Sequence, residues 1–393
     1  MAGDGSLPAA VYLDHASTTP LRPEAVAVMD RASRDGFANP SSQHAAGRRA
    51  RQMLEEARER ILTCLGGRPS GKTRDRLVFT SGATESNRFA VLGMATGPAG
   101  AIATSARDHA SLRSAALAAA HERGWSLTEL PLTAGGTVDP EAIASWIDHT
   151  QTAPSRILGT TPVCGQTGSR EPTTTIVELF HDRGPCLVHA DATQAVACDA
   201  VSFADLGIAT MTIAPHKFGG PRGIGALVVR GDVPLAPLHP GTQETGLRGG
   251  TEPVMLAAGF AAAIEAAVNE RSHLSARLAA LRDRFETTVM RLAEARGIPA
   301  VAIGAAGPRS PHITTISFPG RDRQALVMAA DLAGLCCATG SACASGSSEP
   351  SPALVAMGLP GDVVRGAVRF SFGRTTTDEA IDRAINIVAR ILE

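Results

Sequence analysis

Residues 77–84 read LVFTSGAT, and this stretch sets the fold class of the chain. Its first half, LVFT, is an apolar run of the kind that forms a buried strand, and its second half, SGAT, predicts a turn that opens a helix. The same order of short apolar runs and helical segments continues to about residue 230. Strands separated by helices need crossover connections, so the pattern predicts a mainly parallel sheet with helices on both faces.

The remaining strands of this predicted sheet come from apolar runs of similar length. They are expected at residues 101–104, 126–130, 156–160, 186–190, 211–213 and 225–229, with helices at 109–122 and 173–183 among them. A glycine-rich stretch at 241–251 then precedes a long helical region from Val254 to about Arg296. Strands at 313–318 and 368–372 alternate with helices at 322–333 and 377–392, which predicts a smaller α/β or α+β domain.

The composition argues for no nucleic-acid or membrane partner. The chain has 393 residues, of which 44% are hydrophobic and 19% charged, as in ordinary globular proteins. The formal net charge is −1, so no basic excess favours direct binding of nucleic acid. No apolar stretch of ~20 residues is free of charge, glycine and proline, so no membrane span is expected. The seven cysteines form no CxxC pair, which predicts free thiols in a reducing cytoplasm and no metal site.

Two of the clusters that follow predicted strands are compatible with either a ligand site or a local structural role. In a parallel sheet, ligands bind beyond the carboxyl ends of the strands. The SGAT turn at 81–84 would expose backbone N–H groups at a positive helix end, which suits a phosphate, although a simple helix cap uses the same residues. Asp191 and Gln194 follow the strand at 186–190, and Asp191 is either a helix cap or the partner of a bound cation.

Two further clusters contain nucleophiles in unusual surroundings. Lys217 lies in APHKFGGP, between glycine, proline, histidine and phenylalanine, which favours Schiff-base chemistry over a solvated surface lysine. Cys343 lies in TGSACASGSSE at 339–349, among glycines and serines that cannot form a packed core. A mobile, exposed and nucleophilic thiol is therefore expected there, although most free cysteines are small buried residues.

Taken together, the motifs identify a family. The chain resembles the pyridoxal-phosphate-dependent cysteine desulfurases of the class-V aminotransferase family. The matching stretches, in order, are YLDHASTTP at 12–20, NPSS at 39–42, FTSGATES at 79–86, HADATQ at 189–194, HK at 216–217, LRGGT at 247–251, GSAC at 340–343 and VRFS at 368–371.

The resemblance implies a fold-type I pyridoxal-phosphate-dependent transferase. The large domain, residues 17–258, would hold a mainly parallel seven-stranded sheet. Residues 1–16 and 259–393 would form the smaller α/β domain, with a mobile catalytic-cysteine loop at about 340–352. This loop resembles the longer-loop branch, which generally passes sulfur to protein partners.

The resemblance also implies roles for individual residues around the cofactor pyridoxal 5'-phosphate. Lys217 would hold the cofactor and move protons on the substrate, Asp191 would keep the pyridine nitrogen protonated, and Gln194 would hydrogen-bond the ring oxygen. His109 would stack on the ring and assist proton transfer. The remaining assignments are phosphate binding by Ala83, Thr84 and His216, contact with the partner subunit's phosphate by Thr251 in a homodimer, and binding of the substrate carboxylate by Arg369.

The implied reaction converts L-cysteine to L-alanine. The Cys343 thiolate would attack the substrate sulfur, keep it as a persulfide and pass it to an acceptor, which is expected to be a protein. Iron–sulfur scaffold assembly, tRNA thiolation, sulfur modification of the DNA backbone and a biosynthetic pathway all remain open for that acceptor. One alternative is a related pyridoxal-phosphate-dependent C–S lyase without a persulfide. Another, of a different class, is a non-catalytic sulfur carrier or scaffold with a degenerate cofactor site.

Several positions depart from the family pattern. The family usually has NNETG on the loop after the fourth strand, where this chain has CGQTG at 164–168, so Gly165 cannot make the contact of the second Asn to the ring hydroxyl. Ala214 replaces a serine that often binds phosphate, and Arg88 stands where Asn is common. Since Lys217 and the other site residues are present, we expect an active but specialised desulfurase. Cys164 is interpreted as a small residue filling the space of the missing Asn, with a catalytic role as the alternative.

Overall fold

The computed structural model describes residues 10–97, 99–180, 183–340 and 349–393. Cys343, together with most of the predicted loop at 340–352, lies outside the described residues. Within the described ranges, no helix is both long enough and apolar enough to cross a membrane.

The strands form three sheets. They are β1 (Val11–Tyr12), β2 (Arg76–Thr80), β3 (Ala101–Ser105), β4 (Ser126–Leu130), β5 (Arg156–Thr160), β6 (Leu187–Asp191), β7 (Thr210–Ile213), β8 (Gly225–Val229), β9 (Val301–Ile303), β10 (Ile313–Ser317), β11 (Leu335–Cys336) and β12 (Ala367–Ser371). The largest sheet has seven strands in the order β2-β8-β7-β6-β5-β3-β4. Only β8 runs antiparallel to its neighbours, so the predicted mainly parallel α/β sheet is confirmed.

Helices cover both faces of this sheet, and others pack against the smaller sheet. They are α1 (Pro23–Asp35), α2 (Ala45–Cys64), α3 (Ala83–Met94), α4 (Ala110–Arg123), α5 (Pro140–His149), α6 (Thr173–Glu178), α7 (Phe203–Leu206), α8 (Val254–Ala295), α9 (Arg323–Leu332), α10 (Pro352–Ala356), α11 (Gly361–Arg365) and α12 (Asp378–Ile391). The helix predicted at 173–183 ends early, at Glu178. Its first turn is three threonines, whose branched side chains are poor helix formers, and Gly184 beyond it has positive φ.

Both faces of the large sheet are buried, as the alternation of side chains along each strand requires. Phe79, Ala103 and Leu158 point into a core that also contains residues of α2, α5 and α8. Their strand neighbours Val78, Ile102 and Ile157 point into the opposite core, against α3 and α4. This two-sided burial explains why the strands read as continuous apolar runs in the sequence.

A second, smaller core lies beyond the large sheet. Here β12, β10 and β9 form an antiparallel sheet, and β1 pairs with β11 in a separate parallel ribbon. Phe285 of α8 contacts Phe370 and Phe372 with ring centroids 4.8 and 5.7 Å apart, and α9 and α12 complete the packing. The smaller α/β unit expected near the C-terminus therefore includes β1, from the other end of the chain.

Helix α8 packs both in the core on one face of the large sheet, called the large core, and in the smaller core. Phe260 and Ile264 near its start pack in the large core, and Phe285 and Val289 pack in the small one. The predicted division between residues 258 and 259 falls inside this continuous helix, so the domain limits stay a prediction.

We predict that Gly225→Ala destabilises the fold by about 1–3 kcal/mol, the usual cost of overpacking. A Cβ at Gly225 would lie 2.6 Å from the carbonyl carbon and 2.7 Å from the Cα of Gly82, the residue that precedes α3. Both are backbone atoms, which cannot move aside cheaply. Urea unfolding measures the effect, and Gly307→Ala is the matched control because a Cβ there meets nothing within 4 Å. Equal stability of the two variants would contradict the prediction.

Candidate active site

The predicted site residues of the large sheet collect at one edge of it. Asp191 is the last residue of β6, and Lys217 ends a short 3-10 turn, Pro215–Lys217, that follows β7. Ala83 and Thr84 begin α3 directly after β2, which runs in the same direction as β7 because each is antiparallel to β8. The carboxyl ends of these strands therefore face one region, as the rule for open α/β sheets requires.

A segment near the N-terminus crosses this edge and holds two of the predicted residues. Lys217 Nζ donates hydrogen bonds to the backbone oxygens of Ala16, at 2.7 Å, and Ser17, at 2.8 Å. Gln194 Nε2 donates to the same Ala16 oxygen at 2.8 Å. Lys217 and Gln194 are thus brought together by a shared acceptor.

Arg369 of β12 reaches the same segment from the small sheet. Its Nη2 donates to Asp14 Oδ1 at 2.9 Å and to Ser17 Oγ at 2.8 Å, and its Nη1 donates to the Gly165 oxygen at 2.8 Å. The side chain is almost fully buried, and its Nε has no hydrogen-bond partner among the described residues. Arg369 therefore lies next to Ser17, whose carbonyl oxygen binds Lys217.

Arg369 also contacts the start of the segment that contains Cys343. Its Nη1 donates to the Gly340 oxygen at 3.2 Å, and Gln166 Nε2 donates to the Thr339 oxygen at 3.3 Å. Cys343 is three residues farther along the chain, which corresponds to at most ~11 Å of extended backbone. Its predicted catalytic role concerns a residue outside the described ranges.

Asp191 is 4% exposed and is hydrogen-bonded on both carboxylate oxygens. Asn87 Nδ2 donates to Oδ2 at 2.8 Å, and the Thr193 backbone N–H donates to Oδ1 at 3.1 Å. No salt bridge to Asp191 occurs within the described part of the chain. A buried carboxylate without a cationic partner is costly, so this residue is suited to a positively charged ligand atom.

His109 is the residue immediately before α4 and caps it. Its Nδ1 accepts from the Ser111 backbone N–H at 3.2 Å and lies 2.8 Å from Ser111 Oγ. Ser111 Oγ in turn accepts from Asn87 Nδ2 at 2.8 Å. His109 is thereby connected to Asp191 through Ser111 and Asn87.

The predicted phosphate residues are only partly assembled within this chain. Ala83 and Thr84 head α3, whose first N–H groups have no partner within the helix. His216 Nδ1 lies 3.3 Å from Thr18 Oγ1, and burial, aided by Lys217 and Arg222, lowers the His216 pKa to about 4, so the ring is neutral near pH 7. Thr251 is exposed on the loop before α8, and no hydrogen bond of the described residues joins it to the others.

Several residues around the site escaped the sequence analysis. Asn87 directly follows the FTSGATES motif and lies one turn into α3, but its partners are 24 and 104 positions away. Asp14 and Ser17 belong to the YLDHASTTP motif, but the residues of that motif do not indicate that these two side chains bind Arg369. His312 Nε2 lies 3.4 Å from Gln194 Oε1, and burial lowers its pKa to about 3.

The departures from the family pattern have different structural consequences. Cys164 is buried and its Sγ faces the Arg107 carbonyl oxygen at 3.7 Å, which favours the packing interpretation. A Cβ at Gly165 would lie 3.4 Å from Gln194 Nε2, so this position does adjoin the site. Ala214 is fully buried before the Lys217 turn. Arg88 is exposed and pairs with Glu122 at 3.1 Å, so its substitution does not reach the site.

The chain is similar to known proteins over nearly its whole length. The family model for class-V aminotransferases matches residues 11–384. An IscS-like cysteine desulfurase of Mycobacterium tuberculosis is 38% identical over 388 residues, covering 96% of this chain and 95% of the relative. A solved NifS-like protein has a TM-score of 0.87 at 26% identity, over 98% of this chain and 99% of the other. SspA in complex with cysteine has a TM-score of 0.76 at 27% identity, over 93% and 99%.

We predict that acid destabilises the fold through its buried histidines. Burial lowers the pKa of His189 to about 4 and that of His312 to about 3, from an ordinary value of 6.5. At a pH between the lowered pKa of each histidine and 6.5, that histidine is protonated in the unfolded chain but not in the folded chain. The contribution of these two histidines to stability is therefore complete above pH 6.5 and is lost progressively as the pH falls toward their lowered pKa values.

Urea unfolding between pH 7.5 and pH 4 measures this loss. His312→Asn should make the stability less dependent on pH, whereas His121→Gln should leave the dependence unchanged because His121 is exposed. An unchanged pH dependence in His312→Asn would show that the prediction is wrong.

Proposed function

The chain belongs to the class-V aminotransferase family and is a cysteine desulfurase, and we propose that it converts L-cysteine to L-alanine through a persulfide on Cys343. One observation carries the proposal: Lys217 and Arg369 both bind Ser17, through its carbonyl oxygen and its hydroxyl. The Lys217 amine and the Arg369 guanidinium lie close to the same residue, so the two groups could act on the amino end and the carboxylate end of one α-amino acid.

The described residues fit pyridoxal phosphate, the cofactor that the family implies. The start of α3 offers backbone donors to a phosphate, and Gly82 leaves the approach to it open, since a Cβ there would meet nothing within 4 Å. Asp191 offers a buried carboxylate to a protonated pyridine nitrogen. The hydroxyls of Thr193 and Thr212 are buried at this edge and have no partner among the described residues.

When bound, the cofactor supplies an electron sink for the negative charge that develops on the substrate α carbon. Lys217 would hold the cofactor and would then remove and return the proton on that carbon with its Nζ. Asp191 would keep the pyridine nitrogen protonated, and Gln194 would donate its amide hydrogen to the ring oxygen. His109 would assist proton transfer from Nε2, because its Nδ1 accepts hydrogen bonds from Ser111.

Arg369 would bind the substrate carboxylate. Its Nη2 binds the Asp14 carboxylate, which supports a role in carboxylate binding, and its buried Nε has no hydrogen-bond partner among the described residues. A substrate carboxylate would replace part of these contacts with a charge-assisted pair of hydrogen bonds.

Cys343 would perform the sulfur step. Its thiolate attacks the substrate sulfur, and the Cβ–S bond breaks with its electron pair left on the substrate. A proton is then added at Cβ to give alanine, while the sulfur remains on Cys343 as a persulfide. The contact between Gly340 and Arg369 supports this role, because Gly340, three residues before Cys343, lies next to the residue that would bind the substrate carboxylate.

We further infer a homodimer and a protein acceptor for the sulfur. In the family resemblance, Thr251 contributes to the partner subunit's phosphate site, and its exposure in this chain is compatible with that role. Phe37 is 76% exposed and Met255 is 38% exposed. Both lie close to the start of α8, since the Gly36 position adjoins Val254. Such apolar exposure beside Thr251 favours a subunit interface there.

We predict that Cys343→Ser abolishes persulfide formation and lowers alanine formation on the order of 10³-fold, because a hydroxyl is a poor nucleophile toward sulfur. Mass spectrometry of the cysteine-treated enzyme and an alanine assay measure the two effects. Cys336→Ser is the matched control, as a half-exposed thiol in β11. Full turnover with release of free sulfide by Cys343→Ser would instead indicate the C–S lyase.

We predict that Arg369→Gln raises KM for L-cysteine roughly 10- to 100-fold, the effect of losing a charge-assisted contact to a carboxylate. Affinity for pyridoxal phosphate should change far less. Steady-state kinetics and cofactor titration measure the two quantities. Arg88→Gln is the control, because the Arg88 side chain is exposed and pairs with Glu122. An unchanged KM in Arg369→Gln would contradict the proposed role.

A further inference from the structure

The buried side-chain amide of Asn87 contacts Asp191, one of the residues predicted to bind the cofactor. Asn87 of α3 is fully buried, and both of its N–H groups are used, toward Asp191 Oδ2 and Ser111 Oγ, each at 2.8 Å. Its Oδ1 lies 3.0 Å from His189 Nε2. Three elements, α4, β6 and α3 itself, therefore meet at one side chain.

The chemistry of the partners determines how this amide is oriented. A carboxylate can only accept hydrogen bonds, so the amide nitrogen of Asn87 must face Asp191 and its oxygen must face His189. His189 then donates from Nε2, and its Nδ1 accepts from Thr210 Oγ1 at 2.8 Å. Burial lowers the His189 pKa to about 4, so the ring stays neutral and keeps this tautomer near pH 7.

Ser111, the other side chain to which Asn87 donates, helps to determine which nitrogen of the His109 ring carries the proton. Ser111 Oγ has one proton, and because it accepts from Asn87 it can donate that proton to His109 Nδ1 at 2.8 Å. The Ser111 backbone N–H donates to the same Nδ1 at 3.2 Å. With two donors on Nδ1, the ring proton must lie on Nε2.

We propose that Asn87 is a positioning residue that holds both the Asp191 carboxylate and the His109 imidazole in their working orientations through one amide. It acts through these residues and touches neither substrate nor cofactor. The inference rests on the proposed function, because it concerns how this chain presents Asp191 and His109 to pyridoxal phosphate. It adds a residue whose loss should affect cofactor affinity and proton transfer together.

The first test measures the affinity of the cofactor-free full-length chain for pyridoxal phosphate, without cysteine. Asn87→Ala should weaken binding roughly 10- to 100-fold, because Asp191 loses a hydrogen bond to its charged form. Ser86→Ala is the matched control: it lies next in α3, is equally buried, and loses one hydrogen bond, to Thr80 Oγ1 at 2.7 Å. Thermal unfolding of both variants shows whether each is folded.

The second test separates the two branches. Ser111→Ala removes the hydroxyl that links Asn87 to His109 but leaves the bond between Asn87 and Asp191. It should weaken pyridoxal phosphate binding less than Asn87→Ala does, and it should exchange the α proton of L-alanine for deuterium more slowly than the wild type, as followed by NMR. Asn87→Ala should show both defects. If Asn87→Ala does not fold, Asn87→Ser replaces it, since its short side chain cannot reach both partners.

The outcomes distinguish this inference from the proposed function. Failure of the wild-type chain to bind pyridoxal phosphate would overturn the proposed function itself. Wild-type affinity in Asn87→Ala, or an equal loss in Ser86→Ala, would overturn only the role of Asn87. An unchanged exchange rate in Ser111→Ala would overturn the branch to His109.

Discussion

The carbonyl oxygen of Ala16 is the acceptor on which the site depends. It binds Lys217 Nζ and Gln194 Nε2 at once, and so fixes two side chains that come from different strand ends. The segment that carries it continues from β1, which pairs with β11 of the small unit. The Ala16 N–H also donates to Ser371 Oγ at 2.8 Å. A backbone group anchored to the small unit therefore positions the chemistry of the large sheet.

A buried ion pair maintains the loop in which this chain departs from its family. Arg107 and Glu171 form a salt bridge with both side chains 1% exposed. The Arg107 guanidinium also donates to the backbone oxygens of Thr161, at 2.6 Å, and Ser169, at 2.8 Å. These contacts hold both ends of the loop that contains Cys164 and Gly165. The loop therefore keeps its course without the asparagine that the family usually has there.

The sequence was sufficient to predict the large sheet, because strands buried on both faces must be apolar throughout. The motifs at the strand ends led to the predicted roles of Lys217 and Asp191, which lie at or just after the ends of neighbouring strands of that sheet. The sequence was not sufficient for β1 and β11, which have two residues each and are too short to show a period. Nor could it reveal Asn87 as a partner of Asp191. That contact joins residues 104 positions apart, and it exists only because β6 packs beneath α3. Local patterns encode burial, whereas such polar pairings depend on the assembled fold.

Helix α8 has a mechanical consequence for access to the site. It runs unbroken for 42 residues, about 63 Å at the usual rise, and its two halves are embedded in different cores. Swinging the small unit away from the large sheet as a rigid body would require rupturing intrahelical hydrogen bonds or extracting one buried half. The shorter segments that connect the two units carry no such constraint, because they are not embedded in both cores.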